Sequence, residues 1–457
     1  MIFRRRRAGA HAVSTLAISL LTLCMFAASC TSSDIDESGA SRSASTGDEV
    51  VSPGPVTAGN AGVAGMRGVT PGVKVSADFR QRIASVDPEL KSLAGAAEAY
   101  DATVLAALAA EKAKSDSPGR IAEYLTEQSV KGTRCFSFKI CQVTLAGDSG
   151  DVDYDGVTGS IDLQTNGDPG TASFGIVEFN DTGALRLRGS TQANAAPAEA
   201  VAVSLPPNFG PKPDGVLTIG MLLPVNGPNG DIARAAQAGV KLAVEEINKG
   251  VGVVGAEVEL LPDESGDGSP DSIRTASQRL IDSHADVVIG GTTYDIDAVA
   301  VPLLTGAGLV MISPSDTARV LSAAEDGGRY FRLAPPNDLE GQALGTLIAN
   351  DGFTKVLAVT ATDDESRNLT NDVGAALNAL SASLTNTLEL APGTDLTALA
   401  TIIADTPAQA VVIVAPTDQT AAMVKALITV GRGPRSFPVF GSATAMNATL
   451  AQDVGAS

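Results

Sequence analysis

Thr292, Thr293 and Tyr294 follow a glycine pair and a short apolar run, and Ser313, Ser315, Asp316 and Thr317 follow a second apolar run. Hydroxyls grouped at such turns hold polar ligands. The backbone N–H groups at the start of a following helix add a preference for anionic ones. The stretch 287–317 predicts a strand at 287–289, a helix over about 295–305 and a second strand at 309–312. That is a βαβ unit, whose two strands are parallel neighbours. Both polar turns then lie at strand C-terminal ends, where open α/β sheets bind ligands. Ordinary βα loops without a ligand explain the same pattern, and the pattern alone leaves both readings open. Asp295 reads as the N-cap of its helix.

Few other chemistries are available. Of the two histidines only His284 follows the N-terminal leader, so His-based triads and His-rich metal sites are excluded. No Gly-x-Ser-x-Gly elbow is present, and no catalytic constellation, cofactor or metal is expected. Asp151, Asp153 and Asp155 with Gly156 and Asp162 match part of a calcium loop. Their flanks read as a Gly-rich loop and a strand, not helices, so a solvated acidic turn is the better account. A net charge of −20 argues against nucleic-acid partners.

Residues 1–29 read as a bacterial export signal. Arg4–Arg7 is its basic start and 13–28 its apolar stretch, too short to span a membrane comfortably. Ala27, Ala28, Ser29 and Cys30 resemble a lipobox, which implies lipidation of Cys30 and an extracytoplasmic protein anchored to the cell membrane. Residues 30–60 are Ser/Gly/Asp/Pro-rich and read as a flexible tether. In an oxidising compartment the remaining cysteines, Cys135 and Cys141, are most simply a small-loop disulfide.

The 457 residues are 44% hydrophobic and 4% aromatic, enough for two or three cores. Residues 61–190 read as one folded segment. It holds a strand at 66–69, helices at 77–85, 93–112 and 118–128, and a hairpin of 159–163 with 172–179 through Asn166-Gly167. Residues 191–214 are Ala/Pro-rich and read as a linker. From 215 onward strands and helices alternate to 440, which predicts α/β architecture with parallel sheets. A break near 330–336 predicts passage from one sheet to another.

Four stretches of 215–457 now carry a resemblance: IGMLLPVNGPNG, AGVKLAVEEINKG, VVIGG with VPLLTGAGLVMISPSDT, and YFRLAPPNDLEGQALG. Together they resemble the N-terminal two-thirds of a type I periplasmic binding protein of the leucine/isoleucine/valine kind. Residues 61–190 resemble the remaining C-terminal third of the same family, through AGMRGVTPGV, ELKSLAGAAEAYDATVLAALA and DYDGVTGSIDLQTNGDP. Joining 457 to about Gly62 would restore the family order. The expectation is a circular permutant with 191–214 bridging the original termini.

The resemblance implies two lobes that close on a solute, each a mainly parallel sheet flanked by helices. Lobe one would comprise about 215–333 plus 72–150. Lobe two would comprise about 334–457 plus 61–71 and 172–190. It implies delivery of a small, amino-acid-like polar solute to the permease subunits of an ABC importer. The family's ligand positions fall on Tyr294, Ser315, Asp316, Thr317, Glu365 and Ala443, and Thr293 adjoins them. Ser315 and Thr317 suit a ligand carboxylate. Asp316 would repel one, and Ala443 lacks the acid that usually meets the ligand ammonium. If Asp316 and Glu365 both faced the cleft, a cationic or hydroxyl-rich solute would fit better. A binding or sensing module of the same fold with a degenerate site is the alternative.

Overall fold

The computed structural model describes residues 61–72, 75–147, 150–198, 209–227, 229–263 and 265–455. The export signal, Cys30 and the tether lie outside these residues, as does 199–208 of the expected linker.

The first part contains β1 (Arg67–Pro71), α1 (Ala77–Val86), α2 (Ala96–Ala113), α3 (Pro118–Leu125), β2 (Thr133–Cys135), α4 (Phe138–Leu145), β3 (Val152–Gly156), β4 (Gly159–Ser160), β5 (Thr171–Phe179) and β6 (Leu185–Asn194). Ser76 starts α1 by accepting the Phe79 N–H at 3.1 Å. Pro118 opens α3, where a missing N–H goes unused. The second part contains β7 (Thr218–Leu222), α5 (Gly230–Asn248), β8 (Glu259–Leu260), α6 (Pro270–Asp282), β9 (Val287–Gly290), α7 (Tyr294–Gly306), β10 (Val310–Ser313), β11 (Tyr330–Arg332), α8 (Asn337–Asn350), β12 (Lys355–Ala361), α9 (Asp364–Ala379), β13 (Ser383–Leu390), α10 (Leu396–Asp405), β14 (Ala410–Val414), α11 (Thr417–Thr429), β15 (Val439–Gly441) and α12 (Ala448–Val454).

These strands build two principal sheets. The five-stranded one runs β11-β10-β9-β7-β8 and is parallel throughout. Its central strands are buried on both faces, which is why they read as unbroken apolar runs. The seven-stranded sheet runs β13-β12-β14-β15-β1-β5-β6. It is parallel from β13 to β1 and antiparallel over β1-β5-β6. The α/β expectation with mainly parallel sheets therefore holds.

Both halves of the chain enter both cores. Phe79, Leu105 and Tyr154 share one apolar cluster with Ile219, Val240 and Ile289. Met66, Val177 and Phe179 share another with Leu357, Ile413 and Leu450. The alanine-rich α2 lies on α5 at backbone distance: a Cβ at Gly239 would stand 2.1 Å from the Ala96 carbonyl oxygen. β1 is inserted beside β15, with Arg67 opposite Phe440. The Gly62 N–H donates to the Gly455 carbonyl at 2.8 Å.

One hairpin differs from expectation. β5 pairs with β6, and the turn between them is set by the Asn180 side chain accepting from Thr182 N, Thr182 Oγ1 and Ala184 N. β6 continues to Asn194, so the strand runs past 191, where the linker was expected to begin. β4 pairs instead with β3. The Asn166-Gly167 turn closes on itself and docks on β11, where Arg332 N donates to the Gly167 carbonyl at 3.0 Å. The alternation at 159–163 was real, but its partner lay upstream.

The Asp151–Asp155 stretch is also β-structure. Asp101 of α2 closes the β3–β4 turn by accepting from Tyr154 Oη (2.7 Å), Val157 N (3.0 Å), Thr158 N (2.8 Å) and Thr158 Oγ1 (2.6 Å). Among the described residues no cluster of His, Cys, Asp or Glu is placed to hold a metal ion. Cys135 and Cys141 form the expected disulfide, both buried at the base of α4.

Candidate functional site

Strands β9 and β10 end side by side and their turns are bonded together. Ser313 Oγ donates to the Gly291 carbonyl at 2.9 Å and accepts from Asp316 N at 3.1 Å. Ser315 Oγ reaches the Thr292 carbonyl at 3.4 Å. The βαβ geometry therefore places both hydroxyl-bearing turns at one sheet edge. Thr293 is the N-cap residue of α7, a position the sequence had suggested for Asp295, which sits within the first turn instead. There its charge complements the helix dipole. Tyr294 begins α7 and is 44% exposed.

Asp316 does not face outward with its neighbours. It is 2% exposed, and Oδ1 accepts the Ala318 N–H at 2.7 Å. Its carboxyl meets that of Asp297, which a helical turn of α7 brings beneath the loop. Asp297 accepts from Gly291 N and from the Tyr330 hydroxyl, each at 2.8 Å. Burial first, and then the Asp316 charge, pushes the Asp297 carboxyl well above the carboxylate range. Burial also raises Asp316, against the stabilising Arg332 charge. One proton shared between the two carboxyls satisfies the pair, because two adjacent buried charges would repel.

Arg332 completes this group. It is fully buried and donates to Asp168 Oδ1 (2.6 Å), the Ala318 carbonyl (2.7 Å) and Ser322 Oγ (2.5 Å). Asp168 comes from the turn that docks on β11, so the bridge ties residues 166–168 to the five-stranded sheet. The repulsion expected between Asp316 and a ligand carboxylate is thus directed inward, onto the protein's own network.

The seven-stranded sheet presents a different arrangement. Glu365, in the first turn of α9, is exposed and accepts from Asn337 Nδ2. Partial loss of hydration raises its carboxyl, with the Asp316 and Asp363 charges adding to the effect. Glu340, in the first turn of α8, is 4% exposed, and its Oε1 accepts the Ala443 N–H at 2.7 Å. Burial, reinforced by Glu365, pushes this carboxyl up to about 7. One hydrogen bond is little for a buried carboxylate, which accepts several when fully satisfied.

The Asn337 N–H donates to the Thr317 carbonyl at 3.0 Å. Thr317, Asn337, Glu365, Glu340 and Ala443 thus form a continuous run from the edge of one sheet to the edge of the other. Arg319 bridges to Asp372 of α9 at 3.1 Å on the same route. Of the expected set, Ser315, Thr317, Glu365 and Ala443 lie on or beside this run, whereas Asp316 is turned beneath it. Sequence reasoning missed Glu340 and Asn337. Their only signal was a pair of polar residues opening a helix directly after the sheet-to-sheet passage at 330–336.

A separate cavity lies elsewhere. A groove of about 510 Å³ between α5 and edge strand β8 is lined by Met221, Gln237, Lys241, Leu260 and Asp263 among others, and touches none of the predicted ligand residues.

Known proteins give this geometry a family. A Leu/Ile/Val-binding protein of Rhizobium johnstonii is 30% identical over 111 residues, covering 24% of this chain and 30% of its own. A leucine-, isoleucine-, valine-, threonine- and alanine-binding protein of Pseudomonas aeruginosa is 27% identical over 144 residues, covering 31% and 38%. The match therefore spans about a third of the length of these relatives. Among solved structures, an ABC transporter substrate-binding protein from Sphaerobacter thermophilus is 19% identical, covering 52% of this chain and 66% of its own, with a TM-score of 0.44. The family model described as periplasmic binding protein matches residues 216–457, more than half of the sequence, and the chain belongs to that family.

Proposed function

We propose that this is an extracytoplasmic solute-binding protein that holds a small zwitterionic, amino-acid-like solute between its two sheets and delivers it to an ABC importer. The observation that carries the reading is Glu340, a buried carboxyl with a single hydrogen bond beside exposed Glu365. It meets the need of a ligand ammonium for a desolvated counter-charge, the role left empty by Ala443. Ser315, Thr317 and the N-terminus of α7 offer hydroxyls and N–H groups to the ligand's anionic end. Because Asp316 bonds inward, its carboxylate is not presented to that end. The relatives that bind leucine, isoleucine, valine, threonine or alanine support the solute class. Closure of the two lobes, about 215–333 with 72–150 and about 334–457 with 61–71 and 172–190, is the step that sequesters the solute.

A calorimetric titration against alanine, threonine, leucine, putrescine and glucose tests this. Saturable binding of an amino acid, weakened in Glu340→Gln, is expected. Binding of none of the five by folded protein would favour a degenerate module of the same fold.

Two further readings belong to the same proposal. Residues 61–194 act as the piece that follows 455 in the family's ordinary order, supported by the β15–β1 pairing and the Gly62–Gly455 hydrogen bond. A chain rejoined in that order should unfold at the same temperature, and failure to fold would contradict the permutation. Cys30 carries a lipid that anchors the protein outside the cell membrane. Cys30→Ser should move the protein from the membrane to the soluble extracytoplasmic fraction, and an unchanged distribution would refute the anchor.

A further inference from the structure

We infer that helix α4 and the turn after α5 form a docking surface for an anionic lipid bilayer. Phe136, Ile140 and Val143 are spaced to share one side of the short helix and its lead-in, and they are 62%, 55% and 69% exposed. Val251 and Val254, also exposed, extend the surface from the turn that follows α5. The two pieces are joined: Gln142 Nε2 donates to the Gly252 carbonyl at 3.0 Å and to Glu111 Oε1 at 2.8 Å, and Glu111 Oε1 also accepts the Val254 N–H at 2.6 Å. The buried Cys135–Cys141 disulfide fixes α4 to β2, so this apolar side is held out toward solvent and not folded under.

The charge around the surface selects the occupant. The chain has a net charge of −20, yet exposed Lys131 and Lys139 flank Phe136 and Ile140 with no ion-pair partner among the described residues. Arg134 beside them is 65% exposed while paired with the mostly buried Asp155. Across the turn stands Lys249, 71% exposed and paired with Glu245. Exposed apolar side chains with Lys131 and Lys139 near them in sequence suit an interface of acyl chains under anionic headgroups. An exposed apolar patch of this kind needs an occupant. The surface also lies where docking leaves the binding site open. α5 runs back from the C-terminal edge of the five-stranded sheet, so the turn after it lies at the opposite edge from the 292–294 and 313–317 turns.

The sequence contains no tryptophan, so Phe136→Trp in the full chain gives a reporter confined to this surface. Ile402→Trp, at an exposed position of α10, serves as the remote control, and Ile140→Trp replaces Phe136→Trp should the latter fail to fold. Vesicles of phosphatidylglycerol mixed with phosphatidylcholine should shift the Phe136→Trp emission to the blue, and brominated acyl chains should quench it. Phosphatidylcholine alone should do neither. Lys131→Glu combined with Lys139→Glu should abolish the shift, and Ile402→Trp should show none. Because both reporters share the same N-terminal part, vesicle attachment through that part cannot produce the difference. No shift, an equal shift in Ile402→Trp, or an undiminished shift on phosphatidylcholine would overturn the inference. So would a lipid-independent shift that grows with protein concentration, which would assign the surface to a second copy.

Discussion

The two sheet edges that meet at the candidate site handle buried acids in opposite ways. On the five-stranded sheet, Asp297 and Asp316 are directed into the protein, toward Gly291 N, Tyr330, Ala318 N and the charge of Arg332, and Asp316 Oδ2 has only the neighbouring Asp297 carboxyl to share a proton with. On the seven-stranded sheet, Glu340 is also deeply buried, and among the described residues it accepts only the Ala443 N–H. The first group is turned into the protein and positions two turns. The second keeps a buried carboxyl with one hydrogen bond among the described residues, which under the proposed function is the counter-charge for a cationic group. An acid near a site is therefore not evidence of ligand contact; what its oxygens already accept decides the matter.

The sharpest way to break the contrast is Arg332→Met. It strands Asp168 and removes the charge facing Asp316, and loss of one partner from a buried pair costs about 3–5 kcal/mol. Denaturant unfolding should show that loss, while a small one would mean that the network is solvated. Next comes Glu340→Gln. With a charge-assisted hydrogen bond removed, the amino-acid affinity should fall by about 1.5–3 kcal/mol.

Stability without ligand should move the other way. Burial raises the Glu340 carboxyl from 4.5 to about 7, so ionising it in the folded state is unfavourable. The folded state is therefore stabilised as pH falls from about 7 toward 4.5 and penalised above 7. Glu340→Gln should remove that penalty, giving a more stable protein at pH 8 and a smaller difference at pH 5. A variant less stable at pH 8 would show that Glu340 is already satisfied. The smallest effect is expected for Asp297→Asn. Burial already holds the Asp297 carboxyl well above the carboxylate range, so an amide in its place should change stability by less than about 1 kcal/mol and leave amino-acid affinity unchanged. A large loss of affinity would place this pair in contact with the solute.

Much of the framework was legible from local pattern. Apolar runs marked the three central strands of the five-stranded sheet, and Ser269-Pro270 marked the start of α6, where Ser269 accepts the Ser272 N–H at 3.4 Å. Partner choice was not legible. The 159–163 alternation fits either neighbour, and its pairing was settled by Asp101, far away in sequence. The site was half legible for the same reason. The place of Ser315 and Thr317 at a strand end could be read from their turn, but the direction of Asp316 depends on Asp297 and Arg332, which no local spacing connects. Glu340 sits in a helix first turn, where an acid is ordinary for dipole reasons alone. Only the fold brings it to Ala443.

The most direct test is amino-acid affinity measured by calorimetry from pH 5.5 to 8.5, on the wild-type protein and on Glu340→Gln. A cationic group binds the ionised carboxylate, so below about 7 a proton must leave first, and affinity should fall about tenfold per pH unit. The variant should bind weakly at every pH, without that slope. A flat wild-type profile, or a slope that persists in Glu340→Gln, would contradict Glu340 as the counter-charge for the solute.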